Sequence, residues 1–207
     1  ALDRSAHVAC EVMATAGKII AAGEITASRL PDIPAVLCQT VREAGYGGAD
    51  YEVEVITHAQ SPDIAGAVGG SRELGAGDQG IVYGYACEET PELLPLPVVL
   101  AHRLTRLLTE TRKRNRIPGI RPDGKVEVAV EYRNGRPKRV AAVVISCQHE
   151  AELALPELRR AVMRHVIEPA FRNFPLDDET EILINPSGRF VEGGFEADTG
   201  LTGRKLM

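Results

Sequence analysis

Gly75-Ala76-Gly77-Asp78-Gln79-Gly80-Ile81-Val82-Tyr83-Gly84-Tyr85 is the stretch on which the reading of this chain turns. Four glycines fall within ten positions, with an acid and an amide between them, at the entrance to an apolar run. Glycine lets the backbone reach positive φ and lets another molecule come close. Asp78 brings a charge, and Gln79 both a donor and an acceptor. Taken alone, the stretch reads either as a turn feeding a strand over Ile81 to Ala86 or as a binding loop.

Composition narrows the classes. A chain of 207 residues makes one or two domains. A hydrophobic content of 44% is enough for a sizeable core, and 26% charged residues is ordinary for a globular protein. The net charge of −5 argues against non-specific binding of nucleic acid. No apolar run approaches the ~20 residues needed to cross a bilayer. The first residues, Ala1-Leu2-Asp3-Arg4-Ser5, lack the features of a signal peptide. Cys10, Cys38, Cys87 and Cys147 are far apart and form no C-x-x-C pair, which argues against a zinc site or a disulfide framework. They read as reduced, mostly buried thiols of a cytoplasmic protein.

Outward from the glycine-rich stretch, the pattern predicts mixed α+β layers. Residues 8–15 and 18–26 are β-rich around Gly17 and read as a hairpin. Asp32 can cap a helix over Ile33 to Ala44, with Gly45 as its stop. Tyr51 to His58 reads as a strand. From Gln60 to Gly80 proline and glycine dissolve the pattern, which predicts a long loop. Pro95 and Pro97 precede a helix over Val98 to Arg114. Strands over Lys125–Tyr132 and Arg139–Gln148 flank Asn134-Gly135, a strong hairpin signal. Pro156 opens a helix over Glu157 to Phe171, and Glu181 to Ile184 form a short strand. The order strand, strand, helix, strand thus occurs twice. The expected division is a partial domain over 1–61, a loop over 60–76, a second domain over 77–191, and the start of a third over 192–207.

Several short segments could carry chemistry. Glu24, in Gly23-Glu24-Ile25-Thr26, is either an exposed edge acid or a carboxylate that holds an ammonium group. Gln60-Ser61-Pro62-Asp63-Ile64 opens the long loop, as a linker or as a mobile binding segment. Arg121-Pro122-Asp123-Gly124-Lys125 is a charged turn ahead of a strand. Asn185-Pro186-Ser187-Gly188-Arg189-Phe190 throws a cation out beside a ring, a pair that can stack on a purine. Asp198-Thr199-Gly200-Leu201-Thr202-Gly203-Arg204-Lys205 ends in adjacent cations. Arg204 suits forked contacts and Lys205 a point charge, as a polyphosphate requires; a solvated tail is the alternative.

Together these segments, in this order and at about these separations, resemble the S-adenosylmethionine synthetases (methionine adenosyltransferases). The Gly75–Tyr85 stretch is similar to that family's signature hexapeptide, and the resemblance extends from Ala9 to Lys205. It implies the α+β synthetase fold of repeated mixed or antiparallel sheets with helices. It implies synthesis of S-adenosylmethionine from ATP and L-methionine, with release of phosphate and pyrophosphate. By resemblance Glu24, Gln60 and Asp198 bind methionine. Asp123, Lys125, Arg189, Phe190, Asp198, Arg204 and Lys205 bind ATP, and Asp78, Arg204 and Lys205 are catalytic. Glu11 matches the family's potassium ligand. Mg²⁺ and K⁺ are the implied cofactors, and a homodimer or homotetramer with sites shared between subunits is the implied assembly. No nucleic acid or membrane partner is implied.

Two family motifs are missing from the sequence. One is an early His-Pro-Asp-Lys; none of His7, His58, His102, His149 or His165 sits in that context. The other is Ser-Gly-Lys-Asp after the Arg-Lys pair. Both carry phosphate and metal contacts in the family, so most Mg²⁺ ligands are expected outside this chain. The expectation is a synthetase segment inactive alone. The alternative is a non-catalytic binding or assembly subunit that keeps the fold.

Overall fold

A computed structural model of the chain describes residues 3–47, 50–69 and 80–203. The chain divides into two units, Ala1–Tyr83 with Gly194–Met207, and Gly84–Gly193.

In the first unit, strands β1 (His7–Thr15) and β2 (Lys18–Thr26) pair as the antiparallel hairpin read from the sequence. Helix α1 (Ile33–Ala44) follows, and both its ends were legible. The Asp32 carboxylate accepts a hydrogen bond from the Ala35 N–H at 3.0 Å, and Gly45 at φ +100° closes the last turn. Strand β3 (Glu52–His58) then pairs parallel to β2. A short helix α2 (Pro62–Gly69) lies within the segment expected to be loop. Pro62 suits a first helical turn, but Gly66 and Gly69 disguise the helix in the sequence. The sheet order is β3-β2-β1-β7, where β7 (Gly200–Leu201) returns to pair with Met13 and Ala14. Residues 194–203, expected to open a further domain, therefore complete the first unit's sheet. The Phe195 ring packs 4.5 Å from Tyr46 and 5.3 Å from Tyr51, whose hydroxyl donates to Glu196 at 2.7 Å.

This unit is thin. Of its described apolar residues, Ile19 and Ala21 are buried, while Val8, Leu30, Val36, Ile56 and Ile64 are about half exposed or more. Residues 80–87 form no regular element, so the strand expected over Ile81 to Ala86 is absent. The apolar run is present, but no described strand pairs with it, and Val82 is 95% exposed.

The second unit holds the main core. Helix α3 (Leu96–Lys113) buries Leu96, Leu100, Leu104 and Leu108, one residue per turn, and packs on the strand that follows it. Strands β4 (Ile120–Arg133) and β5 (Arg136–His149) form a long hairpin around Asn134 and Gly135, both at positive φ, as the sequence predicted. Helix α4 (Leu155–Val162) continues through a π-turn over Met163–Ile167 into a short α5 (Glu168–Ala170). Strand β6 (Glu181–Ile184) pairs parallel to β5, giving the order β4-β5-β6. Arg139 and Asp177 form a forked ion pair at 2.7 Å, and that bond holds the Asp177 carboxyl well below the usual carboxylate range.

Each unit is thus a hairpin, a helical crossover, and a third strand laid parallel beside the second. The architecture is the mixed α+β type expected. Among the described residues, no helix is long and apolar enough to cross a membrane.

Candidate active-site residues in the two units

Glu24 stands near the end of β2, and its placement depends on Gly23. At φ +144° this glycine lies so close to β1 that a Cβ would fall 2.9 Å from Cys10 Cα and closer still to the Ala9 carbonyl. Glu24 faces His58, with Oε1 3.2 Å from Nε2. The Gln60 N–H donates to the Thr26 hydroxyl at 3.0 Å, which fixes the start of the following segment against the end of β2. Glu24 and Gln60 line one cavity of about 480 Å³, together with Val8, Ala9, His58 and Ile64.

Asp198 lies elsewhere in the same unit. Its N–H donates to the Gly194 carbonyl at 3.0 Å, and the next residue, Thr199, bonds the Thr15 hydroxyl. Glu24 pairs with Ala9, near the other end of β1. From Ala9 to Thr15 the strand runs about 20 Å, so one copy of this unit does not bring Asp198 to Glu24 and Gln60.

Glu11, on β1, accepts a 2.6 Å hydrogen bond from the Thr202 hydroxyl. That hydroxyl accepts from the Val12 N–H at 2.7 Å, and the Thr202 N–H donates to the Val12 carbonyl at 3.0 Å. Thr202 therefore ties the run that leads to Arg204 and Lys205 onto β1. Among the described residues no group of three or more His, Cys, Asp and Glu side chains gathers as a metal site. A hard cation needs about six oxygens, and Glu11 is one carboxylate already bonded to Thr202. Among the described residues no such cluster forms around Glu11. Asp78, Arg204 and Lys205 lie outside the described residues.

In the second unit the structure brings Asp123 and Phe190 together. Both approach Gly193, where a Cβ would meet Phe190 Cε2 at 2.7 Å and Asp123 Oδ2 at 3.0 Å. Lys125 follows on β4, exposed and opposite Ser146, and Arg189 is exposed beside Phe190. The turn that carries Arg189 is pinned at its start by the buried Asn185, whose amide accepts from the Cys147 N–H at 2.9 Å and donates to the Cys147 carbonyl at 3.0 Å. Its far end is held by Gln148 and His149, each 1% exposed. Sequence reading gave Gln148 and His149 no role and took Asn185 only as the start of the turn. Their signal was weak: polar residues at the end of an apolar strand, where solvent would be the default neighbour.

A sequence profile of the S-adenosylmethionine synthetase central domain matches residues 73–190. The S-adenosylmethionine synthases of two strains of Thermus thermophilus are each 48% identical to this chain, over all of it. The chain spans 58% of the length of these curated relatives. The profile covers more than half of the chain and the identity runs through both units, so the chain belongs to the S-adenosylmethionine synthetase family.

Proposed function

We propose that this chain supplies the substrate-holding part of a methionine adenosyltransferase, which makes S-adenosylmethionine from ATP and L-methionine. The observation that carries the reading is the cavity at the ends of β2 and β3. It offers a carboxylate at Glu24 for an α-ammonium, an amide at Gln60, and apolar walls at Val8, Ala9 and Ile64 for a thioether chain. Its volume falls within the ~300–1,000 Å³ of small-molecule pockets.

In the reaction the neutral methionine sulfur uses a lone pair to attack C5′ of ATP. The C5′–O bond breaks, triphosphate leaves with the electron pair, and a sulfonium forms. No proton moves, so no general base is needed. Alignment of sulfur, carbon and leaving group, with fixed charge around them, supplies the acceleration. The resemblance assigns Asp78 and Asp198 to the sulfonium and Lys125, Arg204 and Lys205 to the phosphates. Arg189 and Phe190 take the adenine, and Asp123 helps hold the nucleotide. Water then cleaves the triphosphate to phosphate and pyrophosphate. Bound Mg²⁺ would spread charge over the leaving phosphates, with ligands from outside the described residues, and K⁺ is the second ion of the family.

The distance along β1 between Glu24 and Asp198 supports a site completed by a second copy. So do the exposed apolar side chains of the first unit. The test is calorimetric binding of L-methionine and of ATP to the purified chain, beside Glu24→Gln. Methionine should bind the parent and lose about tenfold or more in the variant, where a charged hydrogen bond is gone. Absence of methionine binding at millimolar concentration, or equal binding by E24Q, overturns the proposal.

A further inference from the structure

We propose that Gln148 and His149 are positioning residues for the nucleotide: buried side by side at the end of β5, they set the Phe190 ring and the Asp123 carboxylate against each other across Gly193. The inference rests on the reading that Asp123, Arg189 and Phe190 hold ATP, and it adds what makes them hold it.

The hydrogen bonds fix both side chains. The His149 N–H donates to the Phe190 carbonyl at 2.9 Å, and the Phe190 N–H points back to His149 Nε2 at 3.2 Å. An N–H needs a lone pair, so Nε2 is the unprotonated nitrogen. The single proton of the neutral ring is then on Nδ1, which donates to the Glu150 carbonyl at 2.9 Å. Gln148 is oriented by the same logic. Its Oε1 accepts from the Asp123 N–H at 3.3 Å, and its Nε2 donates to the Val191 carbonyl at 2.9 Å. One residue thus grips Phe190, and its neighbour grips both Val191 and the bulge at Asp123.

The space between them is closed. Gly193 is buried, and a methyl group there would collide with the Phe190 ring and press on the Asp123 carboxylate. The ring stands 2.7 Å and the carboxylate 3.0 Å from where that methyl group would be, so Gly193 leaves room for both. With Asn185 holding the other end of the turn, Pro186 to Arg189 form a span anchored on both sides, and Arg189 is carried out from it. Ordinary structural hydrogen bonds would stabilise the unit without favouring one ligand over another. Positioning bonds change nucleotide affinity and leave methionine affinity alone.

The experiment compares ATP and L-methionine binding by calorimetry for the parent chain, His149→Leu, His149→Gln and Gly193→Ala, with circular dichroism as the check on folding. H149L removes the acceptor for Phe190 and should weaken ATP binding about tenfold, with methionine binding unchanged. H149Q restores an acceptor near the Nε2 position and should recover to within about threefold of the parent. G193A leaves every hydrogen bond intact but displaces the ring, and should lose ATP affinity by a similar factor. If H149L does not fold, G193A decides. Unchanged ATP binding in folded H149L, or in G193A where H149L fails to fold, overturns the inference. So does a matching loss of methionine affinity. Failure of the parent to bind ATP sinks the nucleotide reading itself, and this inference with it.

Discussion

Replacing Asn185 by alanine should cost the second unit about 3–7 kcal/mol. Strand β6 ends at Ile184, but the Asn185 side chain carries the ladder one step further, its amide taking the place of the next peptide against Cys147. Cys147 is fully buried and Asn185 is 2% exposed, so N185A leaves a main-chain N–H and carbonyl with little access to water. Each such group costs about 1–3 kcal/mol. Asn185 also sits at φ +44°, where alanine adds about 1 kcal/mol. The lower end of that range, about 3 kcal/mol, corresponds to a fall of roughly 12–24 °C in Tm for a unit of this size. Thermal circular dichroism and urea titration read it directly. Asn185→Asp adds a signature of its own. The new carboxyl can donate to the Cys147 carbonyl only when protonated, so its folded-state pKa rises above the ordinary ~3.9. Its stabilising bond is then fully present below that value and lost as the pH rises through the folded pKa. N185D should therefore approach the parent in acid and fall away towards neutrality. A loss below about 1 kcal/mol in N185A, or an N185D deficit that ignores pH, would refute the account of the turn.

Gly23→Ala should destabilise the first unit by about 2–4 kcal/mol, because the new methyl group meets the backbone of β1 at a φ that alanine avoids; an unchanged denaturation midpoint contradicts this. Burial pushes the Cys147 thiol up to about 12, so at pH 8 it should resist a thiol reagent until the protein unfolds, while Cys10, Cys38 and Cys87, each partly exposed, react first. Peptide mapping that finds Cys147 labelled as fast as the others counts against it. Arg139 depresses the Asp177 carboxyl, so the pair's contribution is present above the ordinary ~3.9 and lost as pH falls through the depressed value. Melts of Asp177→Asn should lie below the parent near neutrality and converge with it in strong acid; parallel curves over the whole range would be inconsistent.

The elements that sequence revealed are those whose ends are written locally. Asp32 and Gly45 bracket α1, and Asn134-Gly135 turns β4 into β5, because a capping carboxylate and a left-handed turn act within a few residues. The elements missed depend on partners. Ile81 to Ala86 has the apolar content of a strand, yet strand formation needs a neighbour that no local pattern specifies. The π-turn over Met163–Ile167 is invisible for the same reason: it keeps Leu158, Val162, Val166 and Ile167 all facing the core, which only packing decides. At the candidate site, charged and glycine-flanked residues such as Glu24 and Asp123 could be picked out as chemistry. That Gln148 reaches Asp123, or that β7 carries Asp198 to the far end of β1, follows from register and so waits for the fold.

The shared winding of the two units has a consequence for where ligands meet this chain. Glu24 and Gln60 stand where the parallel strands β2 and β3 finish, beside the first residue of β1, His7, which pairs with Thr26. Gln148, His149 and the turn bearing Arg189 and Phe190 stand where β5 and β6 finish, beside Ile120, the first residue of β4, which pairs with His149. Carboxyl ends of parallel strands are where open α/β sheets receive their ligands. The two groups of residues therefore occupy the same corner of two sheets wound alike, a strand end that each unit builds from its own parallel pair.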